Sequence, residues 1–306
     1  MTIRHLKIFV EVADTGKMSA AAERCFISQP TVSQTIRELE EHYQVKLFER
    51  LSKRLFITEE GKMLLTYARQ VIRQFDELEA AMFLTGRKRL LKLGASVTVG
   101  NCLLSGILEA LKTERPETEV YTCVNNTAFI EELLLKAELD VGVLEGRVKS
   151  PELVSVPMIQ DYLVLACGKD HPFFGRKELT LQDLHGQKFL MREGGSGTRA
   201  LFESFLESRH VNIRVCGECA SSEAMKEAVM KNGCLAVLSI RLILDEIEQG
   251  NIGAFESSSR EWDRSFKIVY HKNKFIGEDL QALERILHTY REPELPPGKH
   301  VGILQT

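Results

Sequence analysis

Residues 18–43 constrain the fold of this chain more than any other stretch. A short helix pattern built on Ala20-Ala21-Ala22 is followed by a second helix pattern that opens with Ser28-Gln29-Pro30. Small side chains let two helices approach closely, serine is a good N-cap, and proline is tolerated in a first helical turn. The pattern therefore predicts a helix-turn-helix. The apolar residues of its second helix that should pack inward are Val32, Ile36 and Leu39.

The polar side chains of this second helix indicate a nucleic-acid partner. Glutamine can pair with the edge of adenine, and arginine can reach guanine or phosphate. A solvated helix surface is the alternative, and the helix pattern alone leaves both open. The polar residues that face away from the predicted core are Gln29, Thr31, Ser33, Gln34 and Arg37.

Two short strand patterns follow at residues 45–50 and 53–58, around a basic turn. We interpret them as a wing, in which Arg50, Lys53 and Arg54 can reach phosphates or a minor groove. Residues 1–89 hold 15 Lys and Arg against 12 Asp and Glu, whereas the rest of the chain holds 25 against 31. The basic end of the chain is therefore the end with the helix-turn-helix, as a phosphate partner requires.

A long helix is predicted at residues 59–85. Thr58 supplies a hydroxyl cap, two glutamates occupy the first turn, and Gly86 ends the pattern. Its apolar residues recur at alternating spacings of four and three, which is a heptad seam. Packing on its own domain is the alternative, but so regular a seam favours a homodimer that presents two recognition helices to DNA. The seam residues are Leu64, Ala68, Val71, Phe75, Leu78 and Met82.

Beyond residue 89, strand and helix patterns alternate, which predicts an α/β domain with mainly parallel sheets. Ligands of such sheets bind at the carboxyl ends of strands, beside helix N-termini. Four strand-to-helix junctions are polar here. Ordinary helix capping explains each junction separately, whereas the four together can line a cleft for a small-molecule effector. The candidate effector-binding residues at these junctions are Ser96, Thr98, Asn126, Thr127, Glu193, Ser196, Gly197, Thr198 and Ser221.

The absence of long apolar runs limits the cellular setting. No stretch of 18 apolar residues exists, so we expect no transmembrane helix and no membrane partner. Charged residues interrupt residues 1–16, which argues against a secretory signal and for the cytoplasm. The seven cysteines, an odd number, do not indicate a disulfide framework.

The N-terminal pattern resembles the LysR-type transcriptional regulators. The resemblance implies an α-rich head with a winged helix-turn-helix, a dimerisation helix, and a two-lobed α/β domain similar to type 2 periplasmic binding proteins. It also implies that Gln29, Pro30 and Ser33 contact bases, and that Ser96, Thr98, Thr127, Ser196, Gly197 and Thr198 face the effector. The residues that carry the resemblance are Leu6, Phe9, Ala20-Ala21-Ala22, Ser28-Gln29-Pro30-Thr31-Val32-Ser33, Ile36, Leu39-Glu40, Leu47-Phe48-Glu49-Arg50, Arg54, Thr58 and Gly61.

The same resemblance implies domain boundaries. Residues 1–58 would bind DNA, residues 59–89 would form the linker helix and hinge, and residues 90–306 would bind the effector. Lobe I would comprise 90–160 and 267–306, and lobe II 161–266, with strands crossing near Gln160-Asp161 and near 265–267. Two dimers would join as a homotetramer.

One position departs from the family pattern. Where the family usually has glycine after the recognition helix, this chain has Gln44. A residue other than glycine in the left-handed region costs about 1 kcal/mol, so we expect this helix to end differently.

Two other motifs offer rival functions. Residues 195–200 read G-S-G-T-R-A, with Glu218 beyond them, and formally match the dinucleotide-binding fingerprint of an enzyme. We interpret them instead as an anion-holding nest at a helix N-terminus.

Cys216 and Cys219 form a CxxC, which keeps a thiol-based redox regulator as an alternative. Residues three apart on a predicted strand point to opposite faces, however, which disfavours a disulfide between them.

These observations predict a sequence-specific DNA-binding transcriptional regulator controlled by a small metabolite. Arg192 and Arg199 lie near the predicted cleft, and they favour an acidic or anionic effector. No arrangement of serine, histidine and aspartate is readable. We therefore expect no enzyme activity, no catalytic residues, no metal site and no cofactor.

Overall fold

The structure, a computed structural model, describes residues 1–51, 54–82, 89–295, 298 and 300–306. The chain divides into two compact units. The first unit contains the N-terminal head and the long helix that follows it. The second unit contains nearly all of the chain from residue 88 onward.

Helices α1 (Ile3–Thr15), α2 (Met18–Arg24) and α3 (Gln29–Tyr43) form the head, and strands β1 (Phe48–Leu51) and β2 (Arg54–Ile57) pair antiparallel as a wing. The helix-turn-helix prediction is confirmed. Its inward residues Val32, Ile36 and Leu39 are buried together with Leu6 and Phe9. Ser28 caps α3, because its hydroxyl accepts a hydrogen bond from the Thr31 N–H. This burial holds α3 against the head through one face and leaves its other faces for a partner.

Glu40 fastens the wing to α3. Its Oε1 accepts hydrogen bonds from the N–H groups of Leu47 at 2.9 Å and Phe48 at 3.4 Å, and Lys46 pairs with the same carboxylate. The hydroxyl of Thr58 donates to the carbonyl of Lys46 at 2.6 Å and accepts from the N–H of Gly61 at 2.9 Å. The recognition helix, the wing and the start of the next helix are thus joined by directional hydrogen bonds.

The next helix, α4 (Glu59–Met82), divides its predicted seam between two environments. Leu64 and Ala68 pack against the core of the head, so this part of the seam belongs to the protein's own fold. In contrast, Val71, Leu78 and Met82 are 42%, 56% and 76% exposed. The predicted helix end at residues 83–85 and the start of the hinge at 86–88 lie outside the described residues.

The second unit is an α/β domain, as predicted, and its elements follow in chain order. The strands are β3 (Arg89–Ser96), β4 (Thr118–Asn125), β5 (Val141–Leu144), β6 (Leu153–Gly168), β7 (Glu178–Thr180), β8 (Lys188–Arg192), β9 (Arg214–Cys219), β10 (Ala236–Ser239), β11 (Ile252–Ser257), β12 (Asp263–His271) and β13 (Val301–Gln305). The helices are α5 (Val97–Cys102), α6 (Leu104–Glu114), α7 (Thr127–Leu135), α8 (Leu181–Leu184), α9 (Gly197–Ser208), α10 (Ser222–Lys231), α11 (Leu244–Glu248) and α12 (Glu278–Leu287).

Strand β6 is shared between two lobes. Its first part pairs with β12 beside β5, β3 and β4, which form the sheet of lobe I. Its last part pairs with β10 and β11 in lobe II. Strands β8 and β9 pair with each other, and Phe189 of β8 bridges to Leu235 just before β10. The chain therefore crosses from lobe I to lobe II within β6 and returns within β12.

This crossing corrects two expectations from the sequence. The sheets are mixed rather than mainly parallel, because the returning strand β12 must run antiparallel to β6 and β5. The strands expected separately near 154–159 and 162–167 are one continuous strand, β6. A register shift between Phe266 and Lys267 lies opposite Pro157, which has no N–H to give to the ladder.

The C-terminal strand corrects the expected content of lobe I. Residues 267–306 were all expected there, but β13 pairs in parallel with β11 and β7. Those strands belong to the sheet of lobe II, so residues 301–305 complete that lobe. Their side chains Val301 and Leu304 pack in its two apolar cores.

The expectation that α3 would end differently at Gln44 is wrong. Gln44 adopts the left-handed conformation, with φ of 56° and ψ of 35°, and its N–H bonds to the carbonyl of Glu40. Its side chain donates to the carbonyl of Glu41 at 2.6 Å. The chain therefore keeps the helix end that glycine would give, at a conformational cost.

Replacing Gln44 with glycine is expected to raise the free energy of unfolding by about 1 kcal/mol, because glycine adopts positive φ without a Cβ clash. Urea unfolding of the full chain measures the change. Gln44→Ala is the control, since alanine keeps the Cβ and should give no gain. Equal stability of the glycine and alanine variants would contradict this account.

Candidate functional site

The outer faces of α3 carry the predicted DNA-binding residues of this helix. Five of the six, Gln29, Pro30, Thr31, Gln34 and Arg37, are exposed, and Ser33 is half-buried. Within the described residues, the side chains of Gln29 and Arg37 make no hydrogen bond, so their donors and acceptors are available. The other two exposed polar side chains are engaged locally: Thr31 bonds to Ser28 at 2.8 Å and Gln34 to Glu38 at 3.0 Å.

The wing places its arginines beside the turn. Arg54 is the register partner of Leu51, and Arg50 is the partner of Leu55, so both lie next to the tip of the hairpin. The third predicted residue, Lys53, lies outside the described residues.

An aromatic residue that the sequence reasoning missed lies in the turn between α2 and α3. Phe26 is 94% exposed and has a positive φ of 53°. The available signal was a large apolar residue between two predicted helices, in a turn where polar residues are usual.

In the α/β domain, the lobe I residues converge on Glu145. Its carboxylate accepts hydrogen bonds from the hydroxyls of Ser96 and Thr98, the latter at 3.1 Å, and the residue is only 2% exposed. Its backbone carbonyl accepts from the hydroxyl of Thr127 at 3.1 Å. Glu145 was not predicted from the sequence, although an acidic residue directly after the buried strand β5 was a signal for it.

The two lobes meet at a pair of glycines beside Glu145. A Cβ built on Gly197 would lie 2.8 Å from the carbonyl oxygen of Glu145, and one built on Gly146 would lie 2.9 Å from the Cα of Gly197. Real Cβ atoms do not approach that closely, so the first turn of α9 contacts lobe I backbone to backbone. Gly146 also has a φ of 87°, which favours glycine.

The crossing strands carry charged groups into the same region. Arg264 on β12 donates from Nε to Asp161 on β6 at 2.7 Å and from Nη1 to the hydroxyl of Thr198 at 2.8 Å. Asp161 also accepts from the hydroxyl of Ser239 at 2.8 Å. The remaining nitrogen, Nη2 of Arg264, is buried and has no hydrogen-bond partner among the described residues.

The structure brings together six of the predicted effector residues, and three lie at its margin. Ser96, Thr98, Thr127, Gly197 and Thr198 contact Glu145 or Arg264, and Ser196 caps α9 by accepting from the Arg199 N–H. Asn126 joins the lobes at the rim, since its amide donates to the carbonyl of Gly194. Glu193 pairs with Arg192, and Ser221 is an exposed cap of α10.

Arg192 and Arg199, expected to favour an anion, already have carboxylate partners. Arg192 donates to both oxygens of Glu193, at 2.8 and 2.9 Å. Arg199 pairs with Glu203 at 2.7 Å and with Glu218 at 2.6 Å. The glutamate that a dinucleotide site would use for ribose is thus occupied by a neighbouring arginine, and neither arginine offers a free charge.

All seven cysteines are free thiols. The thiols of Cys216 and Cys219 donate to different carbonyls, those of Phe189 at 3.2 Å and Ser221 at 3.4 Å. Cys102 lies near the charged groups of the cleft, where burial first and then the Asp161 carboxylate raise its thiol pKa to about 12. A thiol with so high a pKa stays protonated at neutral pH and reacts slowly.

Two family models match the chain. A bacterial regulatory helix-turn-helix of the lysR family matches residues 3–62, and a LysR substrate binding domain matches residues 85–291, which is more than half of the chain. The chain belongs to the LysR family. This LysR-family protein is 29% identical over 297 residues to the HTH-type transcriptional regulator YeiE of Escherichia coli K12, covering 97% of this chain and 99% of that one.

Solved structures agree with the fold. A full-length variant of OxyR from Pseudomonas aeruginosa superposes with a TM-score of 0.71 at 22% identity, covering 94% of each chain. Full-length CbnR in complex with its target DNA superposes with a TM-score of 0.60 at 22% identity, covering 94% of this chain and 99% of that one. This LysR regulator therefore has the same folds in its two units, a helix-turn-helix head and a two-lobed α/β domain.

Two kinds of feature are absent from the described part of this LysR regulator. No described helix is long and apolar enough to cross a membrane. No group of three or more His, Cys, Asp or Glu side chains, among the residues whose positions are described, is arranged to hold a metal ion.

Gly197→Ala is expected to lower the free energy of unfolding by about 1–3 kcal/mol, because the new methyl group overlaps the Glu145 carbonyl. Alanine has the higher helix propensity, so without this overlap the change would stabilise the protein. The measurement is urea unfolding of the full chain. Gly194→Ala, where a Cβ meets nothing within 4 Å, is the matched control. Equal stability of the two variants would contradict the close contact between Gly197 and Glu145.

Proposed function

We propose that this LysR-family regulator binds a specific DNA sequence through α3 and the wing. The exposed polar faces of α3, held on a packed head, support this most directly. Gln29, Pro30, Thr31, Ser33, Gln34 and Arg37 would enter the major groove, where glutamine and arginine can read base edges. Arg50, Lys53 and Arg54 of the wing would hold the phosphate backbone.

We further propose a homodimer through residues 59–85 and a tetramer of two dimers. Exposed apolar side chains on α4 support the dimer, because a helix face of this kind is stabilised by a partner helix. They are Met63, Tyr67, Val71, Leu78 and Met82. Paired heads would then contact paired half-sites on chromosomal DNA in the cytoplasm.

A small metabolite between the two lobes would control this binding. The hydroxyls of Ser96, Thr98 and Thr198 bond to buried charged groups, and that of Thr127 bonds to the backbone carbonyl of Glu145. This convergence of hydroxyls supports a polar ligand there. An effector changes DNA binding only if it binds one lobe orientation better than another, because coupling requires differential affinity. The crossing strands β6 and β12 are the elements about which the lobes can reorient.

Gln29→Ala and Ser33→Arg should each weaken binding to the specific DNA site by about 1–3 kcal/mol, since each removes a base contact. The site is first selected from random duplexes with the wild-type protein, and affinities are then measured by fluorescence anisotropy. Gln44→Ala is the control, because it also removes a glutamine side chain but at the other end of α3. This variant should retain affinity for DNA. Unchanged affinity of the Gln29 and Ser33 variants would remove α3 from the DNA interface.

Thr127→Ala combined with Ser196→Ala should leave DNA affinity intact and abolish its response to the effector. Both hydroxyls belong to the cleft, whereas neither residue is near α3 in sequence. A metabolite screen by thermal shift on the full chain supplies the effector, because a bound ligand stabilises by mass action. A response that survives both substitutions would put the effector site elsewhere.

A further inference from the structure

The buried carboxylate of Glu145 makes no ion pair among the described residues, and the nearby ammonium of Lys267 donates instead to the carbonyl of Gly146 at 2.8 Å. The hydrogen-bond donors to this carboxylate are the hydroxyls of Ser96 and Thr98, which are neutral. Among the described residues no basic side chain lies within 4 Å of the Glu145 carboxylate. In contrast, the Asp161 carboxylate of the same cleft lies 2.7 Å from Arg264. Buried charges in proteins are normally paired, so a carboxylate in this position calls for a positively charged partner.

Arg264 presents the complementary feature. Its side chain is only 5% exposed, and it uses Nε for Asp161 and Nη1 for Thr198. Its Nη2 is buried without an acceptor among the described residues. An arginine has five N–H donors in a fixed fork, so the unused edge has a defined direction and suits a carboxylate oxygen. A buried unsatisfied donor in a folded protein calls for a specific explanation.

Glu145 and Arg264 contact consecutive residues in the first turn of α9. Gly197 packs directly on Glu145, and Thr198 accepts from Arg264. Glu145 and Arg264 therefore both border the first turn of α9. A ligand that enters between the lobes beside this turn would meet both of them.

We propose that the effector is an α-amino acid, whose ammonium group pairs with Glu145 and whose carboxylate accepts from Nη2 of Arg264. The proposal rests on the effector role proposed above for the cleft. It replaces an anionic ligand with a zwitterion, because a simple anion would face Glu145 without a compensating cation. The N–H groups at the start of α9 add a favourable dipole for the ligand carboxylate.

The test screens the full-length protein by thermal shift against each standard L-α-amino acid. For an amino acid that raises the Tm, its analogues without the amino group and without the carboxyl group are measured beside it. We expect the amino acid to bind and both analogues to bind ~10- to 100-fold more weakly, since each loses a charge-assisted hydrogen bond. The class is wrong if none of the amino acids raises the Tm or if the analogue without the amino group binds equally well.

Substitutions assign the two ends of the ligand. Glu145→Gln should weaken binding of the amino acid and leave binding of the analogue without the amino group unchanged. Glu152→Gln makes the same charge change at an acid paired with Lys272, and it should keep wild-type affinity. Arg264→Lys keeps the positive charge and loses the forked guanidinium. It should therefore weaken binding of the amino acid and of the analogue without the amino group to the same extent. Equal affinity of the Glu145 and Glu152 variants would overturn the ammonium assignment.

A measurement without ligand keeps the proposal testable if Arg264→Lys folds poorly. Glu145→Gln removes a buried charge that lacks a cation, so the Tm of the unliganded protein should not fall. A fall in Tm would mean that the fold itself satisfies the carboxylate, and it would overturn the proposal. If instead a metabolite without an ammonium group alters DNA binding through Thr127 and Ser196, the proposed regulation stands and the zwitterion is rejected.

Discussion

The carboxylate of Asp161 is the interaction on which the two-lobed domain depends. It lies on β6 at the crossing between the lobes and accepts from Arg264 of the other crossing strand and from Ser239 at the end of β10. Through Arg264 the same charge orients the hydroxyl of Thr198 at the start of α9. Arg241 also pairs with this carboxylate, at 3.6 Å. Removing Asp161 would therefore leave two arginines without their carboxylate, and loss of one partner of a buried ion pair typically costs about 3–5 kcal/mol. The crossing strands β6 and β12, the lobe II sheet and the cleft are therefore joined by one network of charged groups.

The head is held together by apolar packing rather than by buried charges. Its cohesion comes from the apolar core around Phe9, Val32 and Leu39, and directional bonds serve to fix the wing and α4. Gly61 allows this arrangement, since a Cβ there would overlap the carbonyl oxygen of Leu47. A rigid head would suit the proposed reading of base edges, which tolerates little displacement, whereas the proposed effector response requires the lobes of the α/β domain to reorient.

Local patterns were predictable from the sequence, and long-range partnerships were not. The caps at Ser28 and Thr58 and the inward face of α3 depend on neighbours within a few residues, so periodicity and residue type were sufficient. The pairing of β13 with β11, and the meeting of Glu145 with α9, join residues far apart in the chain. Arg192 and Arg199 were misjudged for a different reason: Glu193 and Glu203 follow them at one and four residues, so their pairing was visible in the sequence.

The contact between Gly146 and Gly197 has a consequence for motion. Interdigitated side chains hold packed surfaces in discrete arrangements, because a shift forces them out of their rotamers. Two glycine backbones have no side chains to interdigitate, so the surfaces of the lobes can slide past each other there in small steps. Closure of the lobes would then be graded rather than all-or-none, and its end point would be set by the size of whatever lies between them.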